Sequence, residues 1–153
     1  MGKREDFIAE VRSWIDTPYG HQGRQKGLWA DCVCVPLVSA VNVGLLPDGF
    51  DFLHYGTLPN PAVMEKMLDM WCKRIPKGEE RPGDIGWMKD PVYGGAPRHL
   101  FVIVAPGVIV HSHSGAAKRN KMFAEGGRCV EMRLTRQYTS KVVRYYRYPG
   151  LED

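Results

Sequence analysis

No stretch of this chain approaches the ~18 consecutive apolar residues that a membrane-crossing helix requires. The opening MGKREDFIAEVRSW holds no apolar run followed by small residues, so an export signal is not expected and the product should be made soluble in a cytoplasm. Cysteine is scarce as well: Cys32, Cys34, Cys72 and Cys129 in a chain without such a signal predict thiols, not a disulfide framework. Blocks of one charge are missing too. The net charge of +4 is scattered along the chain, which suits an acidic polymer or a neighbouring protein and does not amount to a nucleic-acid surface. Internal repeats and low-complexity segments are absent.

What is present is enough apolar material for one core. With 153 residues, 44% hydrophobic and 25% charged, the chain is expected to form a single domain over 1–153. Phe7, Ile8, Val11, Trp14 and Ile15 recur at helical spacing and predict a first helix to about Ile15. DTPYGHQGRQKG breaks it with Pro and Gly and predicts a long ordered turn. Asp31 is a good N-cap, and the apolar run Cys32 to Leu46 predicts a buried second helix whose start Pro36 should bend, at the loss of one hydrogen bond. After the aromatic-rich connection LLPDGFDFLHYGTLPNP, Asn60 caps a third helix with Pro61 at its first position. Val63, Met64, Met67, Leu68 and Trp71 form its apolar face.

Beyond RPGD the texture becomes strand-like: Ile85 to Met88, His99 to Val104, Val108 to His113, Arg128 to Leu134 and Lys141 to Tyr148, punctuated by Gly and Pro. Helices first and an antiparallel meander second predict an α+β class, with N-terminal helices packed on a five-stranded sheet.

Chemistry concentrates in two places. In RHLFVIVAPGVIVHSH, alternation puts His99, Phe101 and Ile103 on one face and Ile109, His111 and His113 on the same face of the next strand. A loop Ala105-Pro106-Gly107, with Gly left-handed, sets His99 opposite His113 and diagonal to His111; a one-residue shift makes His111 the opposite partner. The other place is Cys32, directly after the cap. Unpaired N–H groups at a helix start lower a thiol pKa, and a thiol, a base and a group orienting that base make a nucleophilic site. Cys32, His99 and one of His111 or His113 can fill those roles.

TPYGHQGRQKGLWADC, RPGDIGWM, RHLFVIV and VIVHSHSG, taken in order from about Trp14 to Pro149, resemble the NlpC-type cell-wall cysteine peptidases. The terminal RYYRYPG brings the likeness nearest to the phage-tail and gene-transfer-agent subgroup. That resemblance implies a papain-like domain with Cys32 as nucleophile, His99 as base, His111 orienting His99, and Tyr19 near the oxyanion site. It prefers His111 over His113, because VHSHSG aligns with the family's Ile-His-Ala-Tyr-Ser-Gly at the first of the two positions. It further implies a peptidoglycan endopeptidase acting on stem peptides, at a D-glutamyl-diaminopimelate bond, in a virion tail during genome delivery. Peptidoglycan and tail-tip or hub proteins would be its partners, and no cofactor is implied. Two residues depart from the pattern. Val33 stands where the family has Ser or Leu, and Cys34 where it has Gly, which places recognition of a free peptide amine by Asp31 and its neighbour in question.

The plainer readings stand beside these. Cys34, Cys72 and Cys129 are expected to be buried and inert. Cys-x-Cys with His-x-His offers zinc-type ligands, but i and i+2 on a helix point roughly 160–200° apart, so no metal is expected. His21 and His113 could line the groove, His21 as well being a solvated turn residue; His54 is expected on the surface and Asp84 in a turn. Lys118, Arg119 and Lys121 are expected in a solvated loop. A structural tail-tip module with a decayed or blocked site is the rival to the enzyme.

Overall fold

The computed structural model describes residues 2–90, 94–114 and 127–151. Its elements run α1 (Lys3–Arg12), β1 (Arg24–Gln25), β2 (Trp29–Ala30), α2 (Cys34–Asn42), α3 (Pro61–Trp71), β3 (Lys73–Ile75), β4 (Ile85–Asp90), β5 (Gly94–Ala105), β6 (Val108–His113), β7 (Arg128–Arg133), α4 (Arg136–Thr139) and β8 (Val142–Arg147). The main sheet is antiparallel and six-stranded, in the order β3-β8-β4-β5-β6-β7, while β1 and β2 form a small ribbon of their own. The class is α+β, as expected, with one strand more than expected. β3 is three residues long and gains its identity only by pairing with β8, so nothing local announces it. Lys118, Arg119 and Lys121 lie outside the described residues.

Helix boundaries follow their caps. α1 stops at Arg12, short of Ile15, and a turn over 13–16 follows with Asp16 at φ 73°. In α3, Asn60 accepts from Ala62 N at 2.9 Å, Pro61 takes the first position, and Met64, Met67 and Leu68 are buried. α2 starts at Cys34, two residues later than expected, so Pro36 falls within the first turn. N–H groups there have no intrahelical partner, and Pro36 therefore removes no helical bond.

Alternation in β5 divides the interior in two. Leu100, Val102 and Val104 join the helices in the larger core, whereas Phe101 and Ile103 face a smaller cluster with Ile109, Met88 and Tyr145. Met132, Leu134 and Tyr138 of α4 pack against that second cluster. Phe101, fully buried, contributes about 1.5–3 kcal/mol there by burial alone. His99 has the parity of Phe101 along β5 and is itself buried.

Candidate active site

The loop before α2 is built around one carboxylate. Asp31 Oδ1 accepts from Val33 N at 3.2 Å and Cys34 N at 2.9 Å, so it caps the helix start. Its Oδ2 accepts from Gln22 N at 2.8 Å and from the Tyr55 hydroxyl at 2.6 Å, and Arg24 Nη1 lies 3.1 Å from Oδ1. Arg24 also donates to Asp51, to the Phe52 carbonyl and to Tyr55, which straps the aromatic connection to the loop. Gln22 sits at φ 55°, a strained value for a residue with a side chain, and its Nε2 holds it there by donating to the Leu53 and Tyr55 carbonyls. Gly23 is required by close approach, since a Cβ there would meet the Trp29 backbone at 2.6 Å. Asp31, expected to meet substrate, borders the groove, and the work its geometry shows is capping and strapping, with its charge met by Arg24.

Cys32 lies in the turn between that cap and the first helical residue and is 8% exposed. Its Sγ stands 3.8 Å from the Arg98 carbonyl, against the backbone beside His99. Burial, and then the Asp31 charge, push the thiol up to about 12; hydrogen bonding from the Leu100 backbone and the Arg24 charge pull the other way and lose. The direction is opposite to that expected for a thiol at a helix start. Burial is the first reason and the Asp31 charge the second; that same carboxylate also takes the N–H groups of Val33 and Cys34, which are thereby withheld from the sulfur.

Across the hairpin, Val102 pairs with Val110 and Ile103 with Ile109; a bulge then leads to Ala105 opposite Val108, and Gly107 is at φ 70°. Continued along the ladder, this register sets His99 level with His113, as the turn chemistry suggested, and their rings stand 5.2 Å apart. The hydrogen bond of His99 nonetheless goes to the diagonal neighbour: its Nε2 is 2.6 Å from His111 Nδ1. On its other side His111 Nε2 faces the Met132 Sδ at 3.2 Å. Both rings are kept neutral. Burial, followed by the neighbouring imidazoles, holds His99 well below its ordinary value and His111 near 3.

An open groove of about 510 Å³ collects Tyr19, His21, Asp31, Cys32, His99 and His113 on its walls, together with Arg98 and the 55–59 segment. His111 stands behind His99, outside the lining. Tyr19 is raised above the usual phenol value by burial and then by Cys32 and Asp31, so it stays protonated and able to donate. His21 is exposed and edge-on to the Tyr55 ring at 5.6 Å; His54 is exposed too, against Phe52, as expected of a surface residue. All four cysteines are free and buried, and burial raises Cys34, Cys72 and Cys129 as it does Cys32. Among the described residues no group of three or more His, Cys, Asp or Glu could hold a metal ion. Gln22, Arg24, Tyr55 and Met132 are site residues that sequence reasoning did not single out. The first two lie inside the HQGR motif and were visible there; Tyr55 and Met132 are joined to the site only by folding.

No family model matches the chain, and no curated protein matches it. Solved structures do. An NlpC/P60 family protein from Bacillus cereus superposes with a TM-score of 0.63 at 16% identity, over 95% of this chain and 40% of that one. The P60 domain of an antigen from M. avium subspecies paratuberculosis gives 0.57 at 16% identity, over 95% and 93%. The NlpC/p60 domain of the peptidoglycan hydrolase SagA gives 0.54 at 16%, over 94% and 97%. The chain therefore has the NlpC/P60 fold, spanning nearly the whole of the isolated domains and about 40% of the Bacillus protein.

Proposed function

We propose that this chain is a cysteine peptidase of the NlpC/P60 kind that hydrolyses amide bonds in the stem peptides of bacterial peptidoglycan. The observation that carries the reading is convergence: a thiol next to a helix start and an imidazole hydrogen-bonded at 2.6 Å to a second imidazole border one groove. Its fold is that of a domain from a named peptidoglycan hydrolase.

In this reading His99 takes the proton of Cys32 as the sulfur attacks the carbonyl carbon. The neutral Tyr19 hydroxyl donates to the developing oxyanion, as does the backbone N–H of Cys32. His99 returns its proton to the leaving amine as the C–N bond breaks; water, deprotonated by His99, then hydrolyses the thioester and frees the acid and the thiol. His111 orients His99. Arg98 lines the groove and donates to the Pro59 carbonyl at 2.7 Å, with no carboxylate partner among the described residues, which suits a substrate rich in carboxylates. The bond proposed is D-glutamyl-diaminopimelate. The setting proposed is a phage tail tip opening the wall for genome delivery, supported by the sequence likeness of TPYGHQGRQKGLWADC and RYYRYPG to that subgroup.

Purified peptidoglycan incubated with the protein and with Cys32→Ala tests the activity. Soluble muropeptides are expected from the first and not the second. Release by both, or by neither, would remove the peptidase reading and favour a structural tail module.

A further inference from the structure

Met132 was not singled out by its sequence, and it ends a chain of contacts that starts at the groove. His99 Nε2 and His111 Nδ1 are 2.6 Å apart, and His111 Nε2 and Met132 Sδ are 3.2 Å apart. A neutral imidazole carries one proton and one lone pair, so each of its nitrogens is either a donor or an acceptor. A thioether sulfur has no proton and can only accept.

These rules leave two arrangements of neutral rings. In one, His111 holds its proton on Nε2 and donates to the sulfur; its Nδ1 then accepts from His99 Nε2–H, and the lone pair of His99 is on Nδ1. In the other, His111 donates from Nδ1 to His99, and its Nε2 lone pair is pressed against a sulfur that can offer nothing. Burial disfavours charging either ring, which removes the doubly protonated alternative near neutral pH. Among the described residues Met132 Sδ is the hydrogen-bond partner of His111 Nε2, while the Tyr138 ring stands edge-on at 5.8 Å and the His113 ring tilted at 5.6 Å.

We infer that Met132 is a positioning residue: as an acceptor on His111 Nε2 it selects the tautomer pair in which His99 presents a free Nδ1 lone pair, the form in which His99 can act as a base. This rests on the peptidase reading only for its consequence; the tautomers themselves can be read without any substrate.

Long-range proton–nitrogen correlation spectra of the ¹⁵N-histidine-labelled protein report which nitrogen of each ring is protonated. Nε2–H is expected for both His99 and His111. Met132→Leu keeps the volume and loses the acceptor, and it is expected to shift His111 toward a mixture of tautomers with the fold retained. Met132→Gln, whose side-chain oxygen accepts, is expected to restore Nε2–H. In the peptidoglycan assay, Leu should lower kcat by roughly 10-fold, part of the ~10²–10⁴ that a positioned base supplies, with KM unchanged, and Gln should recover it. A wild-type His111 protonated on Nδ1, or identical tautomers in wild type and Leu variant, would overturn the inference whether or not the protein cleaves peptidoglycan. Absence of cleavage with the expected tautomers would count against the peptidase reading alone.

Discussion

At the scale of single residues, position along the chain and electrostatic surroundings point in different directions. Cys32 follows a capping aspartate, which read locally is a place for a thiolate. The same aspartate, once folded, uses up the helix-start N–H groups and adds a negative charge beside a buried sulfur. Alkylation by iodoacetamide, followed by mass spectrometry of the Cys32 peptide, should therefore be slow at pH 7 and rise about tenfold per pH unit through pH 9, because only the thiolate reacts. A plateau below pH 8 would show the thiol to be ionised at rest. Cys34, 0% exposed within α2, should stay unlabelled in the folded protein. Val33 and Cys34, the departures from the family pattern, are both buried, so packing against the core accounts for their apolar character.

At the scale of elements, local rules account for most of what formed. Asn60-Pro61 starts α3 where a cap and a proline should start a helix, and the Pro-Gly turn sets the hairpin register. What local rules could not supply are partners far along the chain. Asp84 is an instance. It fixes its turn by accepting from Arg81 N at 2.9 Å, as expected, and it is also fully buried in a two-point ion pair with Arg147, 63 residues away, at 2.7 Å for each contact. This pair ties the turn before β4 to β8. Replacing Asp84 with Ala removes the carboxylate that meets the largely buried Arg147 guanidinium, and a loss of about 3–5 kcal/mol is expected in urea unfolding. A change within 1 kcal/mol of zero would mean that the pair is solvent-screened.

At the scale of the whole molecule, the buried imidazoles couple function to stability. His99 and His111 are neutral in the folded protein and take up protons in the unfolded chain below the ordinary value of 6.5. Their folded values being depressed, the stability they allow is fully present above pH 6.5 and is lost as pH falls, with His111 titrating in the fold only near 3. As pH falls from 6.5 to 5, stability in urea unfolding should weaken with a slope that approaches ~1.4 kcal/mol per pH unit for each ring, and His111→Gln should remove about half of that slope. An unchanged slope in the variant would locate the protons elsewhere.

The order of helices and strands, the α+β class and the thiol and imidazole motifs were legible in the sequence alone, because periodicity, caps and turn residues act over a few neighbours. Turn chemistry left His111 and His113 both open as the partner of His99 and only the family likeness favoured His111, whereas folding alone decided what stands behind His111 and the ionisation of Cys32. The turn fixes the register that sets His113 level with His99, yet the short hydrogen bond runs diagonally to His111, and Met132 reaches His111 from a third strand. Likewise the charge of Asp31 is met by Arg24 and Tyr55, the latter from a connection with no regular structure. Hydrogen-bond partners and the burial that shifts a pKa depend on which segments meet in space, and that information is held by the core as a whole.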